Sequence, residues 1–260
     1  MEKYFEINED NISVKCKLYY KDLNNINDII ISCHGFGGSK ENNATKKLAQ
    51  NIFDKYDDIA VLTFDWPCHG KDVRQKLNLM DCNNYLNKVI DYSYRRFSAR
   101  DLYLNATSFG GYLTLKYILE NENPFKKIVL RCPAVNMYEV LNNNILTEED
   151  RHELSKGKSV LSGFERKIRI TPEFLEDLKI NDITKWNYEI FGNKILIAHG
   201  TNDTLVPINA TRSFSEKNGI DFIDIDGADH MFTSPVKMHE FVLYATEFLL
   251  DESLNKNKNL

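Results

Sequence analysis

The chain has 260 residues, 42% of them hydrophobic and 27% charged, which suits a folded domain able to bury its own core without staples. A net charge of -5, with lysines and arginines scattered along the chain, excludes the basic stripe that a nucleic-acid partner requires. The N-terminus MEKYFEINED has no apolar signal region, and no stretch is apolar enough to span a membrane.

Five cysteines are present: Cys16, Cys33, Cys68, Cys82 and Cys132. Their odd number and the lack of a CxxC pair predict a reduced, cytoplasmic protein with no membrane partner. The oligomeric state is left open. The polar tail from Asn255 to Leu260 predicts a frayed end.

In chain order, Phe5–Ile7 and Ile12–Tyr20 read as two strands around a polar turn. Asp28–Ser32 and Ile59–Phe64 carry wholly apolar runs, the mark of strands covered on both faces. Helices are expected over Lys40–Lys55 and Asp81–Phe97. A short strand follows at Leu102–Leu104, a helix at Phe109–Glu120 and a strand at Lys127–Leu130. Lys194–Ala198 and Phe222–Ile225 read as further strands, Ile208–Lys217 and Pro235–Leu250 as helices. This alternation predicts an α/β fold with a mostly parallel central sheet and helices on both faces.

Only the segment Ala134–Ile190 breaks the alternation. It shows no strong buried strand, and Thr171-Pro172-Glu173 marks a helix start, Thr to cap and Pro to take the first turn. The expected organisation is one domain, residues 1–260, with an inserted cap at about 134–190. Its aromatics, Tyr138, Phe164, Phe174, Trp186, Tyr188 and Phe191, could face an acyl group or simply close the segment onto the sheet.

Four loops carry chemistry, each directly after a predicted strand. Ala106-Thr107-Ser108-Phe109-Gly110-Gly111 joins strand to helix, and small residues two positions either side of Ser108 permit the close approach a nucleophile elbow needs. His34-Gly35-Phe36-Gly37-Gly38 can turn a backbone N–H toward a developing oxyanion, with the N–H of Phe109 as second donor. Gly37-Gly38-Ser39-Lys40 does not meet P-loop spacing, because Ser39 precedes Lys40. Asp203 lies in HGTNDTLVP and His230 in GADHMF. The chain order Ser, Asp, His, with each residue after a strand, is that of a hydrolytic triad on an α/β sheet.

With these segments the chain resembles the α/β-hydrolase superfamily from about Ile29 to Leu250, the cap region matching least. DWPCHG is similar to the family's D-x-x-G-H-G loop, with Cys68 in place of Gly, and Ala106 replaces the first Gly of G-x-S-x-G. HGTND and GADH look most like bacterial carboxylesterases, cinnamoyl- and feruloyl-esterase-like enzymes among them, and serine aminopeptidase-like hydrolases share these features.

The resemblance implies Ser108 as nucleophile, Asp203 as triad acid and His230 as base, with Phe36 and Phe109 giving the oxyanion N–H groups. It implies no cofactor and no metal. His34 and His69 are loop supports in this pattern, and His199 is expected to pack behind the acid loop. Trp186, Tyr188 and Tyr138 are the candidate substrate contacts. The expected activity is hydrolysis of a small-molecule carboxylic ester through an acyl-enzyme. The same triad serves an aminopeptidase, a thioesterase or an acyltransferase. A non-catalytic binding protein with a hydrolase fold is the reading from another class.

Overall fold

The computed structural model describes residues 1–72, 74–164 and 166–250. The Asn255–Leu260 tail lies outside the described residues. Eight strands form one sheet: β1 (Glu2–Glu9), β2 (Ile12–Tyr19), β3 (Asp28–Cys33), β4 (Ile59–Phe64), β5 (Asp101–Thr107), β6 (Phe125–Arg131), β9 (Ile195–Gly200) and β10 (Asp221–Ile225). Their order is β1-β2-β4-β3-β5-β6-β9-β10. The first two ladders are antiparallel and every ladder from β4 to β10 is parallel.

β3 and β4 are buried at every position. Ile29 and Ile31 enter one core and Ile30 the opposite one, the alternation of a strand covered on both faces. α1 (Asn43–Phe53) and α8 (Pro235–Leu250) cover the face that holds Ile30 and Val129. α2 (Leu79–Phe97), α3 (Phe109–Glu120) and α7 (Ile208–Asn218) cover the other, placing Leu86, Leu115 and Phe214 beside Ile29 and Ile31.

Between β6 and β9 the chain runs through the short α4 (Met137–Glu139), a π turn over Val140–Ile145, α5 (Glu148–Ser155) and α6 (Pro172–Ile180). α5 opens with a capping box between Thr147 and Asp150. Thr171 caps α6 ahead of Pro172, as the sequence predicts. The segment also holds a hairpin of β7 (Val160–Ser162) and β8 (Ile168–Ile170), which the sequence reading does not anticipate. Three residues per strand are too few to show a period of two.

All five cysteines are free and buried. Among the described residues no helix is long and apolar enough to cross a membrane.

Candidate active site

β5 ends at Thr107 and α3 begins at Phe109, leaving Ser108 alone in the turn at φ 53° and ψ -117°. A non-glycine residue held at positive φ costs on the order of 1–3 kcal/mol, so the surroundings must fix it. The Ser108 N–H donates to the Arg131 carbonyl at 3.0 Å, and the Ser108 carbonyl accepts from Tyr112 and Ala134, each at 3.1 Å. Strand and helix pass so closely that a Cβ at Gly110 would lie 2.6 Å from the His34 carbonyl oxygen. Ala106 is fully buried between its register partners Cys33 and Leu130.

Asp203 follows β9 and divides its carboxylate between two tasks. Oδ1 accepts from the N–H groups of Leu205 and Val206, at 2.9 and 2.8 Å, and so shapes its own loop. Oδ2 accepts from His230 Nδ1 at 2.7 Å. That bond puts the hydrogen on Nδ1 and leaves the Nε2 lone pair of His230 free to take a proton.

His199 Nε2 also reaches Oδ2, at 3.1 Å, and the Val206 carbonyl at 3.1 Å. Both are acceptors, so Nε2 carries the hydrogen. Burial alone would raise the Asp203 carboxyl, but the hydrogen bonds from His199 and His230 hold it well below the usual carboxylate range. The neighbouring acids are engaged elsewhere: Asp229 takes the N–H and hydroxyl of Thr233, and Asp226 the hydroxyl of Thr201.

Ser108 and His230 open onto one cavity of about 390 Å³, bounded also by Gly35, Phe36, Arg131 and Phe164. Gly35 lies against the hydroxyl-bearing residue, since a Cβ there would meet Ser108 Cβ at 3.2 Å. Among the described residues nothing accepts from the N–H of Phe36 or of Phe109. Phe36 lines the cavity, whereas the Phe109 ring is fully buried against Phe36, Tyr112 and Phe174.

Buried groups hold the His34–Gly38 loop. His34 Nδ1–H donates to the Gly35 carbonyl at 2.8 Å, and its Nε2 accepts from Trp66 N–H at 3.3 Å. Lys40 and Asp65, both buried, pair at 2.8 Å, and Asp65 also takes the N–H of Lys40 and of Lys71. Gly70 is required beside them, because a Cβ there would fall 2.2 Å from Asp65 Oδ1. Burial lowers His34 to about 4 and His69 to about 3, so both rings are neutral at pH 7.

A profile of the alpha/beta hydrolase fold matches residues 28–159, half of the chain. The chain belongs to the alpha/beta hydrolase family. It is 22% identical to the monoglyceride lipase homolog of monkeypox virus over 242 residues, covering 92% of this chain and 83% of that protein. Among solved structures it resembles Est1E from Butyrivibrio proteoclasticus with ferulic acid bound, at TM-score 0.72 and 21% identity over 94% of this chain and 98% of that one. The monoacylglycerol lipase of Paleococcus ferrophilus aligns at TM-score 0.65 and 17% identity, over 92% and 98% of the two chains.

In this hydrolase the three aromatics expected to touch substrate do not line the cavity of Ser108 and His230. Tyr188 is fully buried, packs on Phe214 at 5.2 Å and donates its hydroxyl to the Leu115 carbonyl. Trp186 is half-buried against the main core. Tyr138 lies under Lys179 and borders a separate cavity with Tyr112 and Leu178. For Trp186 and Tyr188 the reason is topological. β9 is parallel to β6, so the connecting chain must descend from the carboxyl edge, where Ser108 sits, to the amino edge. Residues just before β9 therefore lie at the wrong end of the sheet.

The stretch from Ile145 to Arg166 is what reaches the site. Ile145 and Phe164 line the cavity, the Arg166 N–H donates to the Gly37 carbonyl at 3.1 Å, and Arg166 also reaches the Gly70 carbonyl.

Two residues beside the triad lie outside the motifs. Cys132, at φ 45°, brings its sulfur within 4.8 Å of a ligand atom of both Asp203 and His230. Burial, and then the Asp203 charge, push its thiol up, so a neutral S–H stands next to the carboxylate. Arg131 ends β6 and borders the cavity. Its signal in the sequence is a lone Arg closing the apolar run Ile128-Val129-Leu130, where a buried strand has no place for a charge.

Proposed function

We propose that the protein is a serine hydrolase that cleaves a carboxylic ester of a small or medium acyl group through an acyl-enzyme. Ser108 Oγ attacks the acyl carbon and passes its proton to His230 Nε2. Asp203 keeps the His230 hydrogen on Nδ1 and stabilises the imidazolium that forms. The N–H groups of Phe36 and Phe109 receive the oxyanion, and His230 returns the proton to the departing alcohol. Water then repeats the sequence on the acyl-enzyme. The observation that carries this reading is the 2.7 Å bond between His230 Nδ1 and Asp203 Oδ2, with His230 and Ser108 on one cavity.

The segment 134–190 acts as a cap on the single domain through Ile145, Phe164 and the turn at Arg166. What supports this role is their contact with the cavity and with Gly37. The relatives favour an ester substrate: one is named a monoglyceride lipase homolog, another a monoacylglycerol lipase, and a third holds ferulic acid.

The test is a panel of p-nitrophenyl esters of increasing acyl length, run beside feruloyl esters, aminoacyl anilides and acyl thioesters, with Ser108→Ala as control. The expected result is turnover of esters, lost in Ser108→Ala. Turnover of anilides or thioesters with inert oxygen esters would move the assignment to a peptidase or thioesterase.

A further inference from the structure

Arg131 is 2% exposed, yet no carboxylate pairs with it among the described residues. Its Nε donates to the Thr107 hydroxyl at 3.3 Å and its Nη1 to the His230 carbonyl at 3.4 Å, both long bonds to neutral acceptors. Nη2 has no acceptor among the described residues. The guanidinium is flanked by the rings of Phe232 and Phe241, at 5.0 and 5.8 Å, which recover only part of the cost of burying a charge. The nearby acids, Asp203 and Asp229, favour the cation through space but give it no hydrogen bond: Asp203 accepts from His199 and His230, Asp229 from Thr233. A buried cation of this kind is normally matched by an anion.

The cavity it borders carries more positive potential. Lys47 borders the same cavity and makes no ion pair among the described residues. The first turn of α1, at Asn43 and Ala44, borders it too, and a helix N-terminus favours negative charge. Glu41, which also lines it, is bound to Lys17 at 2.9 Å and lies 3.8 Å from Lys40. The cavity that serves Ser108 is thus lined by two cations, a helix N-terminus and a carboxylate already paired with lysine.

We infer that Arg131, with Lys47 and the α1 N-terminus, forms a subsite for a carboxylate on the ester, so that the preferred substrates are esters that also carry a free acid group. This inference rests on the proposed ester hydrolysis. The guanidinium fork matches a carboxylate with two parallel N–H bonds, and the N–H that the fold leaves without an acceptor is then met by the substrate. Because the Arg131 carbonyl also holds the Ser108 N–H, one residue links the place of the charge to the place of the attack.

The experiment compares two pairs of esters. One pair is the p-nitrophenyl hydrogen ester of glutaric acid and its methyl-capped counterpart, with the charge on the acyl side. The other is p-(butyryloxy)benzoate and its methyl ester, with the charge on the leaving group. The wild-type enzyme is expected to favour the charged member of at least one pair by about tenfold or more in kcat/KM, the weight of one buried charge-assisted contact. Within that pair, Arg131→Met should cut the charged-to-neutral ratio by a similar factor and Lys47→Met by a smaller one.

Using a ratio inside each variant removes any general loss of activity. If Arg131→Met does not fold, Lys47→Met and inhibition of the wild type by free glutarate, set against uncharged glutaramide, carry the test. Cleavage of both neutral esters with no preference for either charged one, and equal inhibition by glutarate and glutaramide, would overturn the subsite and leave the ester hydrolase standing. If none of the four esters is cleaved, the proposed function fails and the subsite falls with it.

Discussion

His199 and His230 meet at one atom: both donate to Oδ2 of Asp203, at 3.1 and 2.7 Å, His199 from the end of β9 and His230 from the loop after β10. The shared oxygen means that His199 fixes the direction from which the carboxylate holds His230. His199 is fully buried and is not among the residues lining the Ser108 cavity, so it is a positioning residue. Replacing it with Phe should lower kcat by about tenfold, the weight of one charge-assisted hydrogen bond, with KM little changed. The pH at which kcat/KM half-rises should also move, because the Asp203 charge would be held less firmly against His230. A variant with the wild-type pH profile and rate would show that His199 only fills space.

Gly110 and Ala106 flank Ser108 but face different constraints. A methyl at Gly110 would strike the His34 and Cys33 carbonyl oxygens at 2.6 and 2.9 Å, backbone atoms that cannot swing aside. Gly110→Ala should therefore cost about 1–3 kcal/mol or more and displace the His34–Gly38 loop. Ala106→Gly removes one methyl from a fully buried site and should cost about 1 kcal/mol with activity retained. Urea denaturation of the two variants, read beside ester turnover, checks the contrast.

Stability should fall in mild acid. His34 and His69 are held neutral by burial, at about 4 and about 3 against an ordinary 6.5, with their rings 5.3 Å apart. The unfolded chain therefore binds these protons first, so the contribution is complete above about pH 6.5 and shrinks as pH falls toward 4. By pH 5 the two together should remove about 4 kcal/mol. Below about pH 4 the depressed Asp203 carboxyl adds a loss of the same sign. A urea midpoint unchanged between pH 7.5 and 5 would contradict this account of the buried rings.

Substrate selectivity should follow Phe164 and not Trp186. Phe164→Ala opens the cavity wall beside Phe36 and should change the ratio of rates on short and bulky acyl esters by several-fold. Trp186→Ala, at the amino edge of the sheet, should leave that ratio alone. The same ester series run on both variants decides which part of the segment reads the acyl group.

Much of this arrangement is legible in the sequence because the sheet is buried on both faces. The apolar runs at Ile29 and Val61 fix their strands at full length, and the four loops then fall on one edge by the rule of parallel pairing. Asp203 can be chosen over Asp229 because a residue adjacent to His230 cannot turn its carboxylate back onto that ring. The substrate wall is another matter. Which aromatic faces Ser108 depends on how far the crossover has descended along the sheet, and composition carries no such information. Phe164 and Tyr188 look alike in the sequence, yet one lines the cavity and the other is sealed behind Phe214. The β7–β8 hairpin that delivers Phe164 is too short to leave a periodic trace.

The most direct test of the central assignment is the mass of the protein during turnover. Rapid quenching in acid during hydrolysis of a p-nitrophenyl ester should give a species heavier by one acyl group, and fragmentation should locate it on Ser108. A fluorophosphonate should block the same residue, and Ser108→Ala should acquire neither adduct. An acyl group found on another residue, or steady turnover by Ser108→Ala at the wild-type rate, would contradict the role of Ser108 as nucleophile.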